Sequence, residues 1–318
     1  MLTDAELESL VAACCEGDDE EAVWELADAA AGEPGRVAPH HVRLPAARVF
    51  GRSEVYRGAD AAITGALVAM VDAGDPEPYL LRDCVAAGDP EVALAAFLRW
   101  RESVDVDDHT RSAGWELDRE GRRRDLVTGR AFELLAVDGE EAGPGEAVFG
   151  GASGEHCPWC GMELHDALDL PPGSAAAKAL ALPTEDHVRV LVCPRCADYG
   201  TVLSEYDGEG GCAWSAANVR PSWNGPVLDG WDPYPSRLVL GPARPAGASG
   251  SAWNDGGSTL GGQPDWIQDP ERPACSRCGR TMLFVSMNCG SDLWDGEGCL
   301  YVFVDLDCRT GAVLYQQS

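Results

Sequence analysis

Four cysteines in two close pairs are the residues whose type and spacing point most directly to chemistry. They lie in the segments Cys157-Pro-Trp-Cys160-Gly and Cys193-Pro-Arg-Cys196. Two residues between thiolates let both sulfurs of a pair reach one ion from a tight turn, and two such pairs complete a tetrahedral shell. The spacing therefore predicts a structural zinc ion on these four cysteines. A dithiol redox motif needs a single CxxC pair at the start of a helix, so the paired motifs argue against it.

A second cluster of similar pattern follows further along the chain. Cys275-Ser-Arg-Cys278-Gly matches the first cysteine motif. Residues 300–308 align with residues 188–196, which puts Cys308 at the place of Cys196 and Asp305 at the place of Cys193. An internal duplication is the simplest explanation. The predicted second site is Cys275, Cys278, Asp305 and Cys308, because zinc also accepts a carboxylate ligand.

Three interpretations of the second cluster remain open at this point. It is a zinc site with a carboxylate ligand, a decayed site held by ordinary packing, or a site that Cys289 or Cys299 completes.

A catalytic use of the second site is a further hypothesis. An open metal position beside Asp305 would activate water, with Asp307, Asp292 or Glu297 as the general base. The sequence contains no P-loop, dinucleotide-binding glycine motif, nucleophile elbow or HExxH motif, and we therefore expect no enzyme activity.

The charge balance narrows the classes of partner. The chain has 53 acidic residues against 24 Lys and Arg, for a formal charge of −29. Such a charge repels nucleic acid and anionic membranes, so we expect neither as a partner. It would attract a basic protein, although acidity of this kind also serves solubility alone. The sequence indicates no oligomeric state.

The start of the sequence lacks the basic region and apolar core of a signal peptide, and no apolar run is long enough to span a bilayer. We therefore expect a cytoplasmic protein. A reducing compartment would favour metal thiolates over disulfides for its 13 cysteines.

The pattern along the chain predicts an α+β protein in three domains. Residues 1–105 read as helical hairpins, 106–240 as a β-rich unit with the first zinc site, and 241–318 as a second β unit. Residues 241–262 are rich in Gly, Ser and Ala, which is typical of a flexible connection.

Repeated joints punctuate the helical region. Gly74-Asp-Pro-Glu77 and Gly88-Asp-Pro-Glu91 each offer a left-handed glycine to end one helix, then an N-cap Asp and a first-turn Pro for the next. Such hairpins predict either a short HEAT-like solenoid or an irregular helical domain, because two clean copies are fewer than a solenoid needs.

Motifs in the last domain resemble those of the YwqG-like family of bacterial proteins of unknown function. They are Gly-Gly-Gln-Pro-Asp-Trp-Ile-Gln at 261–268, the cysteine pair with Met282-Leu-Phe, and Trp294-Asp-Gly-Glu-Gly running into Tyr301-Val-Phe. The cysteine and strand pattern also resembles the programmed cell death protein 2 group. That second resemblance implies a zinc-stabilised β scaffold that binds a client, which in that group is a nascent ribosomal protein. The segment Ser286-Met-Asn288, with its polar Ser and Asn, and the helical first half depart from the YwqG-like pattern.

These features together favour a zinc-stabilised protein-binding module that presents an acidic surface to a basic partner, as a chaperone or an immunity protein would. Tryptophans are frequent anchors of protein interfaces and equally frequent members of cores. The candidate anchors are Trp159, Trp214, Trp223, Trp231, Trp253, Trp266 and Trp294. A purely structural module of a larger assembly is the remaining alternative.

Overall fold

A computed structural model describes residues 2–17, 19–138, 143, 145–198, 200–220, 222, 236–247, 257–293 and 297–317. The chain divides into two compact units, Met1–Leu126 and Val127–Ser318. The first unit is mainly helical and the second mainly strands, which confirms the predicted α+β class. None of the described helices has the length and apolar character that a bilayer crossing requires.

The first unit consists of helices around one apolar core. Leu26, Phe97 and Trp115 are completely buried in it, and the indole N–H of Trp115 donates to the Ala86 carbonyl at 3.0 Å. Its elements are α1 (Asp4–Glu16), α2 (Glu20–Gly32), α3 (Pro34–Val37), α4 (Ala61–Asp72), α5 (Pro78–Ala87), α6 (Pro90–Trp100), α7 (Val106–Ser112), 3₁₀ turns at Ala38–His40 and Ser53–Tyr56, and the hairpin β1 (Trp115–Leu117) and β2 (Arg123–Asp125). The short α3 and the two 3₁₀ turns interrupt the helix pairs, so the spacing from one hairpin to the next is not constant.

The repeated joints form only partly as predicted. Gly74 has the left-handed φ of 81° after α4, and the carboxylate of Asp89 caps α6 by accepting N–H bonds from the first turn. Asp75 pairs with Arg48 and accepts the N–H of Glu77 at 3.0 Å. It does not cap α5, because that helix begins at Pro78 and Glu77 holds the N-cap position. Gly88 is not left-handed. A Cβ there would lie 2.4 Å from the Thr64 hydroxyl, so close packing requires this glycine.

The second unit contains one large and one small antiparallel sheet. The eight-stranded sheet has the order β8-β7-β13-β12-β11-β10-β3-β9, and the three-stranded sheet has the order β4-β5-β6. The elements are β3 (Ala131–Asp138), β4 (Gly151–His156), β5 (Glu163–Leu170), α8 (Ala175–Leu180), β6 (Val188–Val192), α9 (Pro194–Ala197), β7 (Val202–Tyr206), β8 (Cys212–Trp214), β9 (Ser236–Arg244), β10 (Thr259–Gly261), β11 (Leu283–Cys289), α10 (Gly290–Leu293), β12 (Cys299–Asp305) and β13 (Thr310–Gln316).

Both faces of the large sheet are covered, which explains the nearly continuous apolar run of β12. Val302 and Val304 belong to the same apolar core as residues of the small sheet such as Val190. Tyr301 and Phe303 point to the other face and pack with the residues of the second cysteine motif. Successive side chains of a strand alternate between faces, so a strand buried on both sides is apolar throughout.

The unit boundary differs from the predicted boundaries at residues 105 and 240. The hairpin β1–β2 lies in the first unit, because Trp115 belongs to the helical core. Strands from the predicted second and third domains lie in one sheet, where β13 pairs with β7. The predicted connection 241–262 overlaps two strands, because it includes the last four residues of β9 and all of β10. Residues 248–256, in its middle, lie outside the described residues.

Candidate metal centres

The four cysteines of the first predicted site lie together in the second unit, with their sulfurs all within 4.8 Å of one another. The Sγ–Sγ distances are 3.8 Å from Cys157 to Cys196, 3.5 Å from Cys160 to Cys193 and 3.8 Å from Cys160 to Cys196. A regular tetrahedron with metal–sulfur bonds of about 2.3 Å has edges of about 3.8 Å. The cluster could therefore hold a four-coordinate metal ion with little movement of its side chains.

Short local elements bring these cysteines together. Cys157 and Cys160 occupy the turn between β4 and β5, where the N–H of Gly161 donates to the Cys157 carbonyl at 2.9 Å. Gly161 has a φ of 79°, a left-handed conformation that glycine adopts without strain. Cys193 follows β6 directly, and the first turn of α9 brings Cys196 back beside it, with its N–H donating to the Cys193 carbonyl at 3.1 Å.

The thiols perturb one another strongly. Contacts with Cys193 and Cys196 lower the pKa of Cys157, while contacts with Cys157 and Cys196 raise the pKa of Cys193. Cys157, Cys193 and Cys196 are at most 2% exposed, so water screens their charges little. Four thiolates at this distance repel each other, and they can ionise together only when a cation lies between them. This donor set suits a soft divalent metal ion.

The four residues of the second predicted site also come together, with ligand atoms within 4.8 Å of one another. Asp305, at the end of β12, places Oδ2 3.2 Å from the Cys278 sulfur and accepts the Cys308 N–H at 2.9 Å on Oδ1. Cys275 lies 3.2 Å from the Thr310 hydroxyl. A tetrahedral zinc site has a sulfur–oxygen edge of about 3.6 Å for bonds of about 2.3 and 2.1 Å. The distance from Asp305 to Cys278 is slightly shorter than that edge, so a carboxylate is a feasible fourth ligand.

Arg280 lies beside the second cluster, which sequence reasoning missed. Its Nη2 donates to Asp305 at 3.1 Å and to Asp307 at 2.7 Å, and its Nε donates to the Cys278 sulfur at 3.4 Å. The contacts with Cys278 and Asp307 raise the pKa of Arg280. Burial pushes the pKa of Asp305 up, but bonds from the Cys308 N–H and Cys278, together with Arg280, outweigh burial and leave it below its ordinary value.

Arg280 also balances charge. Three thiolates and a carboxylate carry two more negative charges than a divalent ion cancels, and a guanidinium within hydrogen-bond distance offsets one of them. One sequence signal could have pointed to Arg280. It directly follows the glycine of the second motif, at the position where the first motif has the uncharged Met162.

The two cysteine turns have the same local geometry. The N–H of Gly279 donates to the Cys275 carbonyl at 2.8 Å, as Gly161 does to Cys157, and Gly279 has a left-handed φ of 73°. An antiparallel strand pair follows each turn, β5 with β6 and β11 with β12. The strand that comes next in the chain differs between the two copies. After β12, β13 pairs with β12 itself, whereas after β6, β7 does not join the small sheet and pairs with β13. The internal duplication stays a prediction.

Cys289 and Cys299 do not join the second cluster. They face each other on β11 and β12 and form a disulfide. The interpretation in which either residue completes the second site does not match this arrangement. The sequence-based expectation that the cysteines are metal thiolates and not disulfides is therefore wrong for Cys289 and Cys299.

The three proposed general bases lie in different surroundings. Asp307 shares Arg280 with the second cluster, whereas Asp292 accepts the backbone N–H of Ser258 at 3.0 Å. Neither Asp292 nor Glu297 is among the residues that form the cluster. Asp307 is thus tied to the cluster through a shared partner, Arg280.

The described candidate tryptophans take part in packing. Trp159 and Trp214 meet edge to face with ring centroids 4.9 Å apart, and Trp266 stacks on Tyr301 at 4.7 Å. All three rings also pack against buried apolar residues of the second unit. The other four candidates, Trp223, Trp231, Trp253 and Trp294, lie outside the described residues.

Comparisons with known proteins give one curated relative and no function. No protein-family model matches the chain, and no solved structure gives a significant match. The chain is 31% identical over 250 residues to the uncharacterized protein YpfL of Salmonella typhimurium strain LT2, an alignment that covers 72% of this chain and 56% of the relative. The match therefore spans little more than half the length of that relative. These comparisons do not confirm the resemblance to the YwqG-like family or to the programmed cell death protein 2 group. Both resemblances depend only on the motifs quoted above.

Proposed function

We propose that this chain is a zinc-stabilised protein-binding module that presents an acidic surface to a basic protein partner. The observation that carries the proposal is the pair of four-ligand clusters in a chain with a formal charge of −29. Four protein ligands fill a tetrahedral shell and leave no position for water or substrate, so both ions have a structural role.

Zinc is the metal that suits these ligands. Soft thiolates in tetrahedral geometry select zinc or iron, and they disfavour magnesium and calcium, which prefer oxygen ligands. The second site has one carboxylate among its ligands and binds zinc less tightly than the first. The metal stabilises the second unit, because the thiols of Cys157, Cys193 and Cys196 lie within its main apolar core.

Metal content tests this part of the proposal. The full chain is purified without added metal and examined by native mass spectrometry and elemental analysis. We expect two zinc ions per chain, with one removed by a weak chelator and the other only by a strong one. A metal-free folded chain, or stoichiometric iron, would contradict the zinc assignment.

The resemblance to the programmed cell death protein 2 group supports a client protein such as a basic ribosomal protein. The negative charge equally suits a basic toxin, which an acidic immunity protein would neutralise. In both cases opposite charges accelerate association and are screened by salt.

Retention of partners from an extract of the native host tests this part. The immobilised full chain is compared with an unrelated protein of similar size and charge, at low and high salt, and bound proteins are identified by mass spectrometry. We expect a basic protein that the control does not retain and that high salt releases, and its identity distinguishes a ribosomal protein from a toxin. If no basic protein is retained selectively at low salt, the electrostatic part of the proposal fails.

A metal-dependent enzyme at the second site is the alternative function. The observation in its favour is that Cys278 and Cys308 are only half-buried, with the carboxylate of Asp307 close by. Dissociation of Asp305 would open a metal position to water, with Asp307 as the base. Cobalt substitution tests it: an azide-dependent change in the cobalt spectrum that persists in Cys160→Ser and disappears in Cys278→Ser supports an open second site. An unchanged spectrum supports two closed structural sites.

A further inference from the structure

The first unit contains an open groove between α1 and α2 that the metal sites do not involve. Its volume is about 570 Å³, within the range of about 300–1,000 Å³ that is usual for ligand sites. Leu10 and Ala22 are buried and Leu2 is half-buried, so we take these three as the apolar floor of the groove. The other apolar lining residues are Ala5 and Ala13, whose side chains are small.

Carboxylates line both sides of this groove. Glu6 lies on the α1 side, and Glu21 and Glu25 lie on the α2 side, all three exposed. Asp19 adds a fourth carboxylate at the start of α2, and the described lining residues include no Lys, Arg or His. The groove therefore combines an apolar floor with negative edges.

Internal contacts occupy these carboxylates unequally. Glu6 bonds the backbone and hydroxyl of Thr3, and Asp19 caps α2 through the Ala22 N–H. The ion pairs of Arg36 and Arg43 with α1 go to Asp4 and Glu8. At about 100° per residue, those two acids lie on a different face of α1 from the groove. Among the described residues, none of the ion pairs uses Glu21 or Glu25.

The spacing of the two unused carboxylates suits one kind of occupant. Glu21 and Glu25 are one helical turn apart, about 6 Å along α2, which matches basic residues at i and i+4 of a docked helix. A helix that binds in a groove places an apolar stripe on the floor and its polar residues at the edges. A small molecule would need convergent polar groups. Ser9, which is the one uncharged polar side chain among the described lining residues, already bonds the Ala5 carbonyl at 2.9 Å.

We propose that the α1–α2 groove binds a basic amphipathic helix, with apolar side chains on Leu2, Leu10 and Ala22 and Lys or Arg residues beside Glu21 and Glu25. This inference rests on the proposed function and gives the basic partner a docking site. It adds that the partner presents a helix with one apolar stripe and with basic residues on the flank of that stripe that lies along α2.

A designed peptide tests the groove with the full chain. The probe is a fluorescent 18-residue helix with leucines on one face and lysines on the flanks, and binding is followed by anisotropy in low salt. One control peptide has the same composition with the leucines scattered, and another has Glu in place of Lys. We expect the probe to bind at least tenfold more tightly than either control peptide.

Two variants of equal charge separate the groove from the general acidity of the protein. Glu21→Lys/Glu25→Lys reverses the α2 edge, and Glu91→Lys/Glu102→Lys reverses two exposed carboxylates of the same unit that do not line the groove. We expect the groove variant to bind the probe at least tenfold more weakly and the control variant to change binding less than threefold. Circular dichroism of each variant checks that the helices remain folded.

The alternative outcomes count against the groove and leave the proposed function to its own test. If both variants weaken binding equally, the attraction is general and the groove is not the site. If the scattered-leucine peptide binds as well as the probe, the apolar floor is not used. If the wild-type chain does not bind the probe in low salt, the inference is wrong, while selective retention of a basic protein from the extract would still support the acidic-surface proposal.

Discussion

If the first cluster holds the proposed zinc ion, replacing Cys193 with serine should abolish metal binding there and destabilise the second unit alone. Cys193 is 0% exposed and lies 3.5 Å from Cys160, inside the apolar core of that unit. Serine is a poor zinc ligand, and its hydroxyl would be left in a site built for a thiolate. The first unit has its own core and contains none of the four ligands.

The size of the effect follows from linkage between binding and folding. A site filled at a free metal concentration about 1,000 times Kd contributes about 4 kcal/mol, a large part of the roughly 5–15 kcal/mol that stabilises a typical domain. For a unit of 150–250 residues, a class that includes Val127–Ser318, each kcal/mol shifts Tm by about 2–4 °C. We therefore expect Tm of the second unit to fall by about 8–16 °C.

The assay combines metal counting with calorimetry and hydrogen exchange. We expect one zinc ion per chain instead of two, faster exchange in β5, β6 and β7, and unchanged exchange in the helices of the first unit. Cys212→Ser is the matched control, because Cys212 is buried in the same core, lies outside both clusters and donates to the Arg189 carbonyl at 3.3 Å, as a serine can. If Cys193→Ser keeps two zinc ions and a Tm within a few degrees of wild type, the reasoning about this site is refuted.

Three further predictions concern the second site and the helical unit. Asp305→Ala should lower the zinc count from two to one while Asp307→Ala keeps two, and an unchanged count in Asp305→Ala would remove this carboxylate from the shell. Phe97→Ala should lower the free energy of unfolding of the first unit by about 3–5 kcal/mol in a denaturant titration, because the ring is completely buried against two tryptophans; a loss below 1 kcal/mol would contradict that packing. Asp89→Ala should cost about 1 kcal/mol in the same titration, since its carboxylate accepts two N–H bonds at the start of α6, and no loss would mean that the cap contributes nothing.

The second candidate metal cluster was only partly predictable from the sequence. Aligning the two cysteine motifs brought Asp305 into the cluster, because the turn and the strands that follow it are local features. Arg280 was missed because it contacts Asp305 and Asp307, which are more than 20 residues away along the chain. Only the folded structure brings these side chains together. The pairing of Cys289 with Cys299 was missed for a related reason, since it depends on the register of β11 against β12.

The helices and strands were mostly predictable, whereas the unit boundary was not. The helical hairpins expected before residue 105 and the strands expected in the rest of the chain are present, because periodic apolar residues and turn residues act over short distances. The boundary at Leu126 follows from Trp115, whose burial in the helical core assigns the hairpin to the first unit. The predicted start of the β-rich region at residue 106 was too early, because residues 106–112 form α7 and the first strand begins at Trp115. A change of pattern along the sequence also does not show which core the strands after it join.

The sequence by itself determined the two sets of metal-ligand candidates, the α+β class and the acidic charge, since each depends on residue types and short spacings. Only the tertiary structure decided that β7 pairs with β13 in the large sheet and that Arg280 lies against the second cluster. The acidic-edged groove between α1 and α2 is likewise visible only in the structure. These features depend on which distant segments pack together. That choice is made by the burial of whole faces, which no short stretch of sequence specifies.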